Sequence, residues 1–463
     1  MAIIETINSA INTVVWGKPM LVLLVGAGIL LTIRTFGVQF RKFGYAMKNT
    51  AGKIFKKGEA KEGEITPFQA MSTALAGTVG TGNIAGVTTA LTLGGPGSMF
   101  WLWITALIGM ATKYSEVLLA VRFRERNKDG DWVGGPMYYI QNGLGKKWKW
   151  LGVLFAIFGV FAVFGTGNAT QVNTIVASID TALISFGVME AGSTSTLNLI
   201  LGIVITILVG LILLGGIKRI GHVAERLVPI MALLYVVLGL GVIIVHIGNL
   251  PAAFSSIIKG AFNPTAVTGG VVGAMFTAVQ KGVARGIFSN EAGLGSSALV
   301  HAGSDSKDAS LQGLWSMTEV ALDTLVCCTL TALALLTSGA AQTGLSDTEQ
   351  IVAAFSGIFG SFAPQIMAVV TALFAFCTMI GWCCCGEQAV HYLLGARGLL
   401  PYRLMFCAAA GAGAVIALPT VWALSDIANG LMALPNLLGL LLLCRHAGLE
   451  KLISRSRRNP APQ

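Results

Sequence analysis

Long apolar stretches with almost no charge dominate this chain and limit what it can fold into. Of its 463 residues, 54% are hydrophobic and only 11% are charged. A soluble domain carries about 25% charged residues, so this chain has too little charge to cover a water-facing surface. The apolar runs are continuous, unlike the short alternating strands of an outer-membrane barrel. The sequence therefore predicts an all-α integral membrane protein.

Eleven apolar stretches are long enough for transmembrane helices. They cover residues 16–38, 67–92, 98–121, 150–181, 196–216, 225–248, 263–288, 309–338, 362–390, 404–420 and 424–444. Lysine and arginine concentrate in loops on one side, above all in 34–61 and 122–149, whereas the other side has only Lys18 and Lys259. The positive-inside rule then places the N-terminus outside and the C-terminus in the cytoplasm. This pattern accounts for the net charge of +10 without a nucleic-acid partner.

The first stretch stands apart, and the other ten divide into two sets of five with opposite orientation, as an inverted repeat requires. We predict an extra N-terminal helix with a basic cytoplasmic loop, a first repeat, a second inverted repeat and a basic cytoplasmic tail, over residues 1–66, 67–248, 263–444 and 445–463. Both repeats open with a glycine-interrupted stretch. These stretches are GTVGTGN (77–83) in the first repeat, and GGVVGAMF (269–276) with QKGVARG (280–286) in the second.

The motif GTVGTGN predicts a broken helix, because each glycine costs about 1 kcal/mol against alanine inside a helix. Within a membrane, irregular backbone is tolerated only where it is buried in protein or lines a cavity. A break offers the N–H groups of its second half to a carboxylate and the carbonyls of its first half to a small cation. We therefore predict that this break binds a carboxylate and a sodium ion together. Close helix packing through small residues is the alternative.

Two further polar clusters lie in apolar stretches. The motif GTGNATQVNT (165–174) serves either interhelical hydrogen bonding or a cavity, and Gln171 is its favoured cavity-facing member. The motif FCTMIGW (376–382) supplies the hydroxyl of Thr378 and the flat ring of Trp382 for a small pocket. Adjacent side chains on a helix point about 100° apart, so the run Cys383–Cys385 cannot converge on one metal ion.

Acidic residues inside a membrane are functional candidates by default. Glu319 and Asp323 are four residues apart, and Glu116 is predicted to pair with Lys113. Gate ion pairs are predicted for two further acids, Glu291 and Glu387, with partners among Lys281, Arg285 and Arg397. The chain lacks the motifs HExxH, GxSxG and GxxxxGK[ST], which argues against a zinc protease, a serine esterase and an ATP-driven pump.

Several long motifs resemble the alanine or glycine:cation symporters: GTVGTGNIAGVTTALTLGGPGSMFWLW, GMATKYSEVLLAVRFR, GGPMYYI, FGTGNATQVNT and GIFSNEAGLGSSA. The resemblance covers roughly residues 15–445. It implies a leucine-transporter-like fold, a five-plus-five inverted repeat with one extra N-terminal helix. It also implies sodium-coupled import of L-alanine, D-alanine or glycine by alternating access, in a bacterial cytoplasmic membrane and without a prosthetic group.

The resemblance also implies roles for particular residues. The amides of Thr81 and Gly82 would bind the substrate carboxylate, and Asn83 would contact substrate or ion. Sodium would be bound by the carbonyls of Ala76 and Val79 with Cys377 and Thr378. The pocket walls would be Phe276, Gln171 and Trp382.

Cys377 departs from the fold's usual hydroxyl residue, and a thiol is a poor sodium ligand. The alternative within the same fold is a proton-coupled carrier that uses Glu319 or Asp323.

Overall fold

In a computed structural model, the chain is almost entirely helical. The structure describes residues 15–50, 64–190, 194–262, 271–345, 347–415 and 418–445. Before the first repeat lie α1 Lys18–Arg34, α2 Val38–Arg41 and α3 Phe43–Asn49. The first repeat region contains α4 Pro67–Thr78, α5 Val87–Gly94, α6 Ser98–Arg122, α7 Pro136–Leu144, α8 Lys149–Phe164, α9 Thr170–Ser185, α10 Ser195–Leu213 and α11 Gly216–Val245.

A connecting helix leads into the second repeat region. The elements are α12 Leu250–Phe262, α13 Val271–Asn290, α14 Ser296–His301, α15 Ala309–Val320, α16 Thr329–Ser338, α17 Asp347–Phe359, α18 Ala363–Leu394, α19 Leu399–Gly413 and α20 Leu418–Arg445. Three π-helical turns adjoin these helices, Gly82–Gly86, Gly165–Ala169 and Ala321–Cys328. Strands β1 Glu125–Arg126 and β2 Trp132–Val133 form one short antiparallel pair.

The helices agree with the predicted membrane architecture. Each of the eleven predicted stretches falls largely on a helix or a broken helix. Within the described ranges, seven helical segments are long and apolar enough to cross a membrane. The all-α membrane class is confirmed, whereas the number of spans, the repeat boundaries and the orientation stay predictions.

Burial separates a lipid-facing layer from a packed centre. Helix α10 exposes Leu199, Ile203 and Ile207 by about half, as a helix against lipid does. Helix α18 is the opposite case, because every residue from Cys377 to Val390 is buried. It packs against α4, α8, α9 and α11. Helix α18 therefore lies in the packed centre, in contact with helices of the first repeat region.

The first helix of the first repeat is broken where the glycines predict it. Helix α4 starts in a capping box formed by Thr66 and Gln69 and ends at Thr78. Val79 then turns extended, with φ −77° and ψ 93°, and the helix resumes through the π turn Gly82–Gly86 into α5. The N–H of Gly80 donates to Asn83 Oδ1 at 2.8 Å, so the break closes on its own asparagine. We term α4, the π turn and α5 the first broken helix.

The second repeat is broken at a different place from the one predicted. Helix α13 runs without interruption from Val271 to Asn290, so the predicted breaks at 271–276 and 280–286 are wrong, and residues 269 and 270 lie outside the described residues. Gly282 and Gly286 serve close packing instead, since added Cβ atoms would meet Trp101 Cβ at 2.8 Å and Thr105 Cβ at 3.1 Å.

The second break lies in SNEAGLG. The chain leaves α13 at Asn290, Glu291 adopts a left-handed backbone with φ 55°, and α14 starts at Ser296. Gly293 and Gly295 in the same loop have φ 98° and 81°, which only glycine adopts without strain. We term α13, this loop and α14 the second broken helix.

Backbone contacts join the two broken helices at one end. The Asp305 N–H donates to the Ile65 carbonyl at 2.9 Å, and the Ile65 N–H donates to the Gly303 carbonyl at 3.4 Å. Arg124 donates to the carbonyls of Ala302, at 3.0 Å, and of Ser304 and Ser306. The Arg124 guanidinium also stacks on Trp132, 4.0 Å from the ring centre. These contacts, termed the latch, tie the start of the first broken helix to the loop after the second.

Candidate functional site

A small cavity lies between the two helix breaks. The lining residues are Gly77, Thr78, Gly80, Thr81 and Gly82 from the first broken helix, Phe288, Glu291 and Leu294 from the second, and Thr166, Gln171, Thr378, Trp382 and Asn429 from neighbouring helices. Its free volume of ≈ 20 Å³ is close to what one water molecule requires. The two breaks, which lie far apart in sequence, therefore share one small cavity with polar and apolar residues in its wall.

Trp382 forms a rigid wall of this cavity. Gly167 packs directly beneath it, because a Cβ on Gly167 would lie 2.7 Å from Trp382 Cγ. On the other side, a Cβ on Gly77 would lie 3.7 Å from Trp382 Cδ1. The indole N–H donates to Glu291 Oε1 at 3.0 Å. The structure thus places Trp382 in the wall, as the sequence predicted, and fixes its ring by contacts on three sides.

The start of the second half of the first broken helix faces the cavity. Thr81 and Gly82 both line it, and their N–H groups belong to the first turn, where a helix has no internal acceptor for them. Thr81 Oγ1 lies 3.5 Å from Gln171 Oε1, and Gln171 Nε2 donates to the Thr166 carbonyl at 2.9 Å. Three of the predicted substrate residues, Thr81, Gly82 and Gln171, are therefore brought together at one side of the cavity.

The predicted sodium ligands lie where α4 and α18 approach most closely. A Cβ on Gly80 would overlap with the Thr378 hydroxyl, and a Cβ on Gly381 would lie 2.7 Å from the Thr73 carbonyl. Thr378 Oγ1 donates to the Phe374 carbonyl at 3.0 Å, which leaves its oxygen lone pairs free to accept. Ala76, Val79 and Cys377 are buried beside this contact, but only Thr378 lines the cavity among the four.

Asn83 is not among the described residues that line the cavity. Its side-chain amide donates to Asp323 Oδ1 at 2.7 Å and to Ser289 Oγ at 3.1 Å. Its Oδ1 accepts the Gly80 N–H, and its own carbonyl accepts from Thr331 Oγ1 at 2.7 Å. The asparagine therefore ties the first break to the helix that contains Asp323.

Phe276 is also away from the cavity. It is 43% exposed and lies in a membrane-facing groove, where the Lys18 ammonium sits 4.8 Å from its ring centre. The aromatic residue that lines the cavity is Phe288, whose ring would lie 3.5 Å from a Cβ on Gly82. The position of the break explains this difference. The sequence predicts a break next to Phe276, whereas the structure has the break three residues after Phe288.

The buried acids have other partners than the predicted ones. Lys113 Nζ lies 3.4 Å from Glu319 Oε2 and donates to the Asn290 carbonyl at 2.8 Å. His301 Nε2 contacts the other oxygen of Glu319. The predicted pairing of Lys113 with Glu116 is wrong, because Lys113 points towards α15 and the end of α13.

Glu116 and Glu387 serve two other junctions. Glu116 accepts the Gly293 N–H at 3.1 Å and the Asn436 amide, so it supports the second break. Glu387 pairs with Arg403 at 2.6 Å, which was not among its predicted partners. In both cases the partner lies on another element of the chain, and no spacing rule within one helix could have identified it.

Asp323 is buried among neutral donors. Ser289 Oγ and Thr324 Oγ1 donate to its Oδ2 at 2.8 and 2.7 Å, in addition to the Asn83 amide at Oδ1. It is not among the described lining residues of the cavity. Asp323 therefore organises the contact between both broken helices and their neighbour.

Solved structures define the class of this fold. The chain is similar to MhsT, solved in complex with L-phenylalanine, with a TM-score of 0.55 and 14% identity over 86% of this chain and 99% of that one. It is also similar to a manganese transporter of Eremococcus coleocola, with a TM-score of 0.54 and 13% identity over 89% of this chain and 93% of that one. The fold is thus the leucine-transporter-like fold of membrane transporters, as predicted.

Sequence comparison gives the family within that class. The chain belongs to the sodium:alanine symporter family, whose model matches residues 1–453. It is 43% identical to the sodium/alanine symporter AgcS of Methanococcus maripaludis, over 96% of this chain and 95% of that protein. It is 37% identical to the probable sodium/glutamine symporter GlnT of Bacillus subtilis, over 96% and 89%. The protein is therefore a multi-pass membrane transporter and not an enzyme.

Proposed function

We propose that this protein is a sodium-coupled symporter that imports small neutral amino acids by alternating access, with L-alanine, D-alanine and glycine as substrates. The observation that carries the proposal is the cavity between two helix breaks, lined by backbone of the first break and closed by two aromatic rings. The family and the likeness to a sodium/alanine symporter support it.

The first break supplies the anion site. The N–H groups of Thr81 and Gly82 open the second half of the broken helix, where unpaired amides and the helix dipole favour a carboxylate. Gln171 lies beside them and orients the Thr81 hydroxyl. Asn83 would act indirectly, because the hydrogen bond that its Oδ1 accepts from the Gly80 N–H stabilises the backbone of the break.

The cavity favours a short side chain. Trp382 packs tightly against Gly167, and the ring of Phe288 lies next to Gly82, so both rings limit the space for a side chain. With a free volume of ≈ 20 Å³, even alanine requires the breaks to part slightly, and a longer side chain requires more. Steric exclusion of one methylene gives about 10- to 200-fold discrimination, so serine is expected as a weak substrate.

Sodium would lie at the contact between α4 and α18. The carbonyls of Ala76 and Val79 are at the end of the first half of the broken helix, and Thr378 adds a hydroxyl oxygen from α18. Hard oxygen ligands suit sodium, whereas the Cys377 thiol does not, so Cys377 would contribute its carbonyl or packing only. An inward sodium gradient across a bacterial cytoplasmic membrane, with the N-terminus outside, would then drive uptake.

Proton coupling through Glu319 or Asp323 is the competing mechanism. Glu319 is occupied by Lys113 and His301, and Asp323 by three neutral donors. Neither residue is among the described residues of the cavity wall. This arrangement favours structural roles for both acids and sodium as the coupling ion.

The test is uptake of labelled L-alanine into proteoliposomes at fixed pH, with an inward sodium gradient or an equal potassium gradient. Sodium-dependent uptake that unlabelled D-alanine and glycine inhibit, and glutamine does not, supports the proposal. Equal uptake with both cations transfers the coupling to protons and overturns the sodium assignment. Sodium-dependent uptake of glutamine in preference to alanine overturns the substrate assignment.

A further inference from the structure

Glu291 brings a buried carboxyl group into the cavity. The sequence places it beside the cytoplasmic end of a helix, but the structure places it at the second break, 6% exposed. It is the only charged side chain among the described residues that line the cavity. The cavity that Thr81 and Gly82 line therefore also has an acid in its wall.

This carboxyl group has no salt-bridge partner within 4.0 Å in the described part of the chain, because the nearby Lys113 pairs with Glu319 and acts on Glu291 only from a distance. Its two oxygens accept from neutral donors, Oε1 from the Trp382 indole at 3.0 Å and Oε2 from the Ser296 hydroxyl. Glu319 and Glu387, in contrast, each face a basic side chain. A carboxylate inside a membrane is costly unless it is paired, and each carboxylate oxygen can accept more than one hydrogen bond. Glu291 thus has both the charge and the free lone pairs to bind a cationic group.

The backbone holds Glu291 in this position against a local strain. Its φ of 55° is left-handed, which a non-glycine residue keeps only where the surroundings fix it. The flanking residues are fixed: the Ala292 N–H donates to Asn290 Oδ1 at 3.0 Å, and Gly293 donates to Glu116. Strained residues of this kind cluster at ligand sites.

Asn429 adds a second acceptor to the same cavity. Its side-chain nitrogen donates to Thr166 Oγ1 at 2.8 Å, which leaves Oδ1 as an acceptor. That oxygen is buried and has no hydrogen-bond partner within the described residues. An acid and an unpaired amide oxygen in one wall form a site for a group that carries several N–H donors.

We propose that Glu291, with Asn429, binds the α-ammonium group of the substrate, while the amides of Thr81 and Gly82 bind its carboxylate. This inference rests on the proposed function and adds the second half of the recognition. The transporter would then select the zwitterionic α-amino acid over carboxylic acids of the same size, such as L-lactate and propionate. Glu291 would also be the residue whose charge the substrate neutralises when the cavity closes.

The experiment measures how strongly L-alanine, L-lactate and propionate inhibit sodium-driven uptake of labelled glycine. The wild-type protein is expected to bind L-lactate at least about 10-fold more weakly than L-alanine. In Glu291→Gln, alanine affinity should fall about 10- to 150-fold, the loss of one charge-assisted hydrogen bond, while lactate affinity stays unchanged. The ratio between the two ligands should therefore collapse.

The matched control is Ser296→Ala, which removes a neutral donor from the same carboxyl group and keeps its charge. It should retain the alanine-to-lactate ratio. Glu291→Asp serves as the second variant if Glu291→Gln does not fold by size-exclusion chromatography, and it should keep part of the ratio.

Each other outcome has a defined meaning. Wild-type protein that transports alanine with sodium but binds lactate equally well overturns this inference and leaves the proposed function intact. An alanine-to-lactate affinity ratio in Glu291→Gln that equals the wild-type ratio overturns it as well. A changed sodium half-saturation with an unchanged ratio assigns Glu291 to the ion instead. Absence of sodium-driven glycine and alanine uptake in the wild type is a failure of the proposed function itself.

Discussion

The two broken helices reach the same cavity by different means. The first break spans two residues, Val79 and Gly80, and closes on its own asparagine, Asn83. What it presents to the cavity is backbone. The second break is a five-residue loop, Glu291–Gly295, with three left-handed residues and support from other helices through Glu116 and Asn436. What it presents is a side-chain carboxyl group.

Under the proposed recognition, this difference would divide the binding of a zwitterion between the two broken helices. Backbone amides bind a carboxylate without any side chain, so substitutions other than proline leave these donors in place. A side chain adds a full charge, but it must be buried and oriented by several neighbours. We therefore expect the first break to be most affected by substitutions within it. We expect the second break to be most affected by substitutions of the residues that support it, Glu116 and Asn436.

The largest expected effect comes from filling the tightest point of the first break. Gly80→Ala places a methyl group on the Thr378 hydroxyl, which must shift the contact between α4 and α18. A displacement of about 1 Å at a binding site can cost about 100-fold in rate, and we expect a loss of that order in uptake.

The control for this variant lies in the same broken helix. Gly86 has helical backbone angles, and a Cβ there would meet nothing within 4 Å. Gly86→Ala should therefore keep normal uptake. Equal losses in both variants would show that the first broken helix tolerates no added side chain anywhere, and the close contact at Gly80 would not be special.

Each break is supported by an asparagine, and removing these asparagines should reduce uptake to different extents. Asn83→Ala leaves the Gly80 N–H unpaired and removes a donor from Asp323, at a cost of about 1–3 kcal/mol for each buried group. Asn436→Ala removes donors to the Gly293 carbonyl and to Glu116, but the latter still accepts from the Gly293 N–H. We expect Asn83→Ala to reduce uptake about 10- to 100-fold and Asn436→Ala to reduce it several-fold. Thermal unfolding of both proteins in detergent, alongside uptake, checks this order.

The ion site should respond to one hydroxyl group. Thr378→Val keeps the shape of the side chain and removes the oxygen, so the sodium concentration for half-maximal uptake should rise about tenfold, as for one lost ligand of about 1.4 kcal/mol. Thr337 is a buried threonine with a similar bond to its own helix, and Thr337→Val should leave the sodium dependence unchanged. An unchanged value in Thr378→Val removes Thr378 from the site.

The smallest expected effect concerns the latch, which lies outside the cavity. Arg124→Ala removes the donors to the carbonyls of Ala302, Ser304 and Ser306, while the bonds between Ile65 and Asp305 remain. We expect uptake to change by only a few-fold and the loop to become more accessible. A cysteine at Ser306 can be labelled with a membrane-impermeant thiol reagent in right-side-out and in inverted vesicles, which expose opposite faces of the membrane. The extent of labelling reports the accessibility of the loop, and the vesicle type that is labelled reports the predicted orientation.

The sequence was informative wherever the signal is local. Uncharged apolar runs predicted the membrane class, and the glycines of GTVGTGN predicted the first break, because unpaired backbone and missing side chains are properties of the segment itself. That Thr81, Gly82, Gln171 and Trp382 line one cavity followed from the family resemblance, because no local signal connects three separate segments.

The sequence was misleading where glycine has two uses. Gly282 and Gly286 resemble helix breakers but serve close packing against α6, whereas Gly293 and Gly295 form the actual break with left-handed angles. Which use a glycine has depends on the residues that pack against it in the folded protein. The spacing of glycines along the sequence does not contain this information. The same limit applies to Lys113, whose partner Glu319 is on another helix, and to the place of Glu291 in the cavity.

The latch has a consequence for how this transporter can vary between species. The bonds between Ile65, Gly303 and Asp305 use only backbone groups, and Arg124 also donates only to carbonyls. An alanine at position 305 therefore leaves these bonds in place, whereas a proline there removes the N–H donor. Alanine at position 65 would lose the packing of a fully buried side chain, so a loss there would report the core and not the backbone contact. The closure at this end is consequently resistant to sequence drift, and an inserted proline at position 305 is the change that would reveal it.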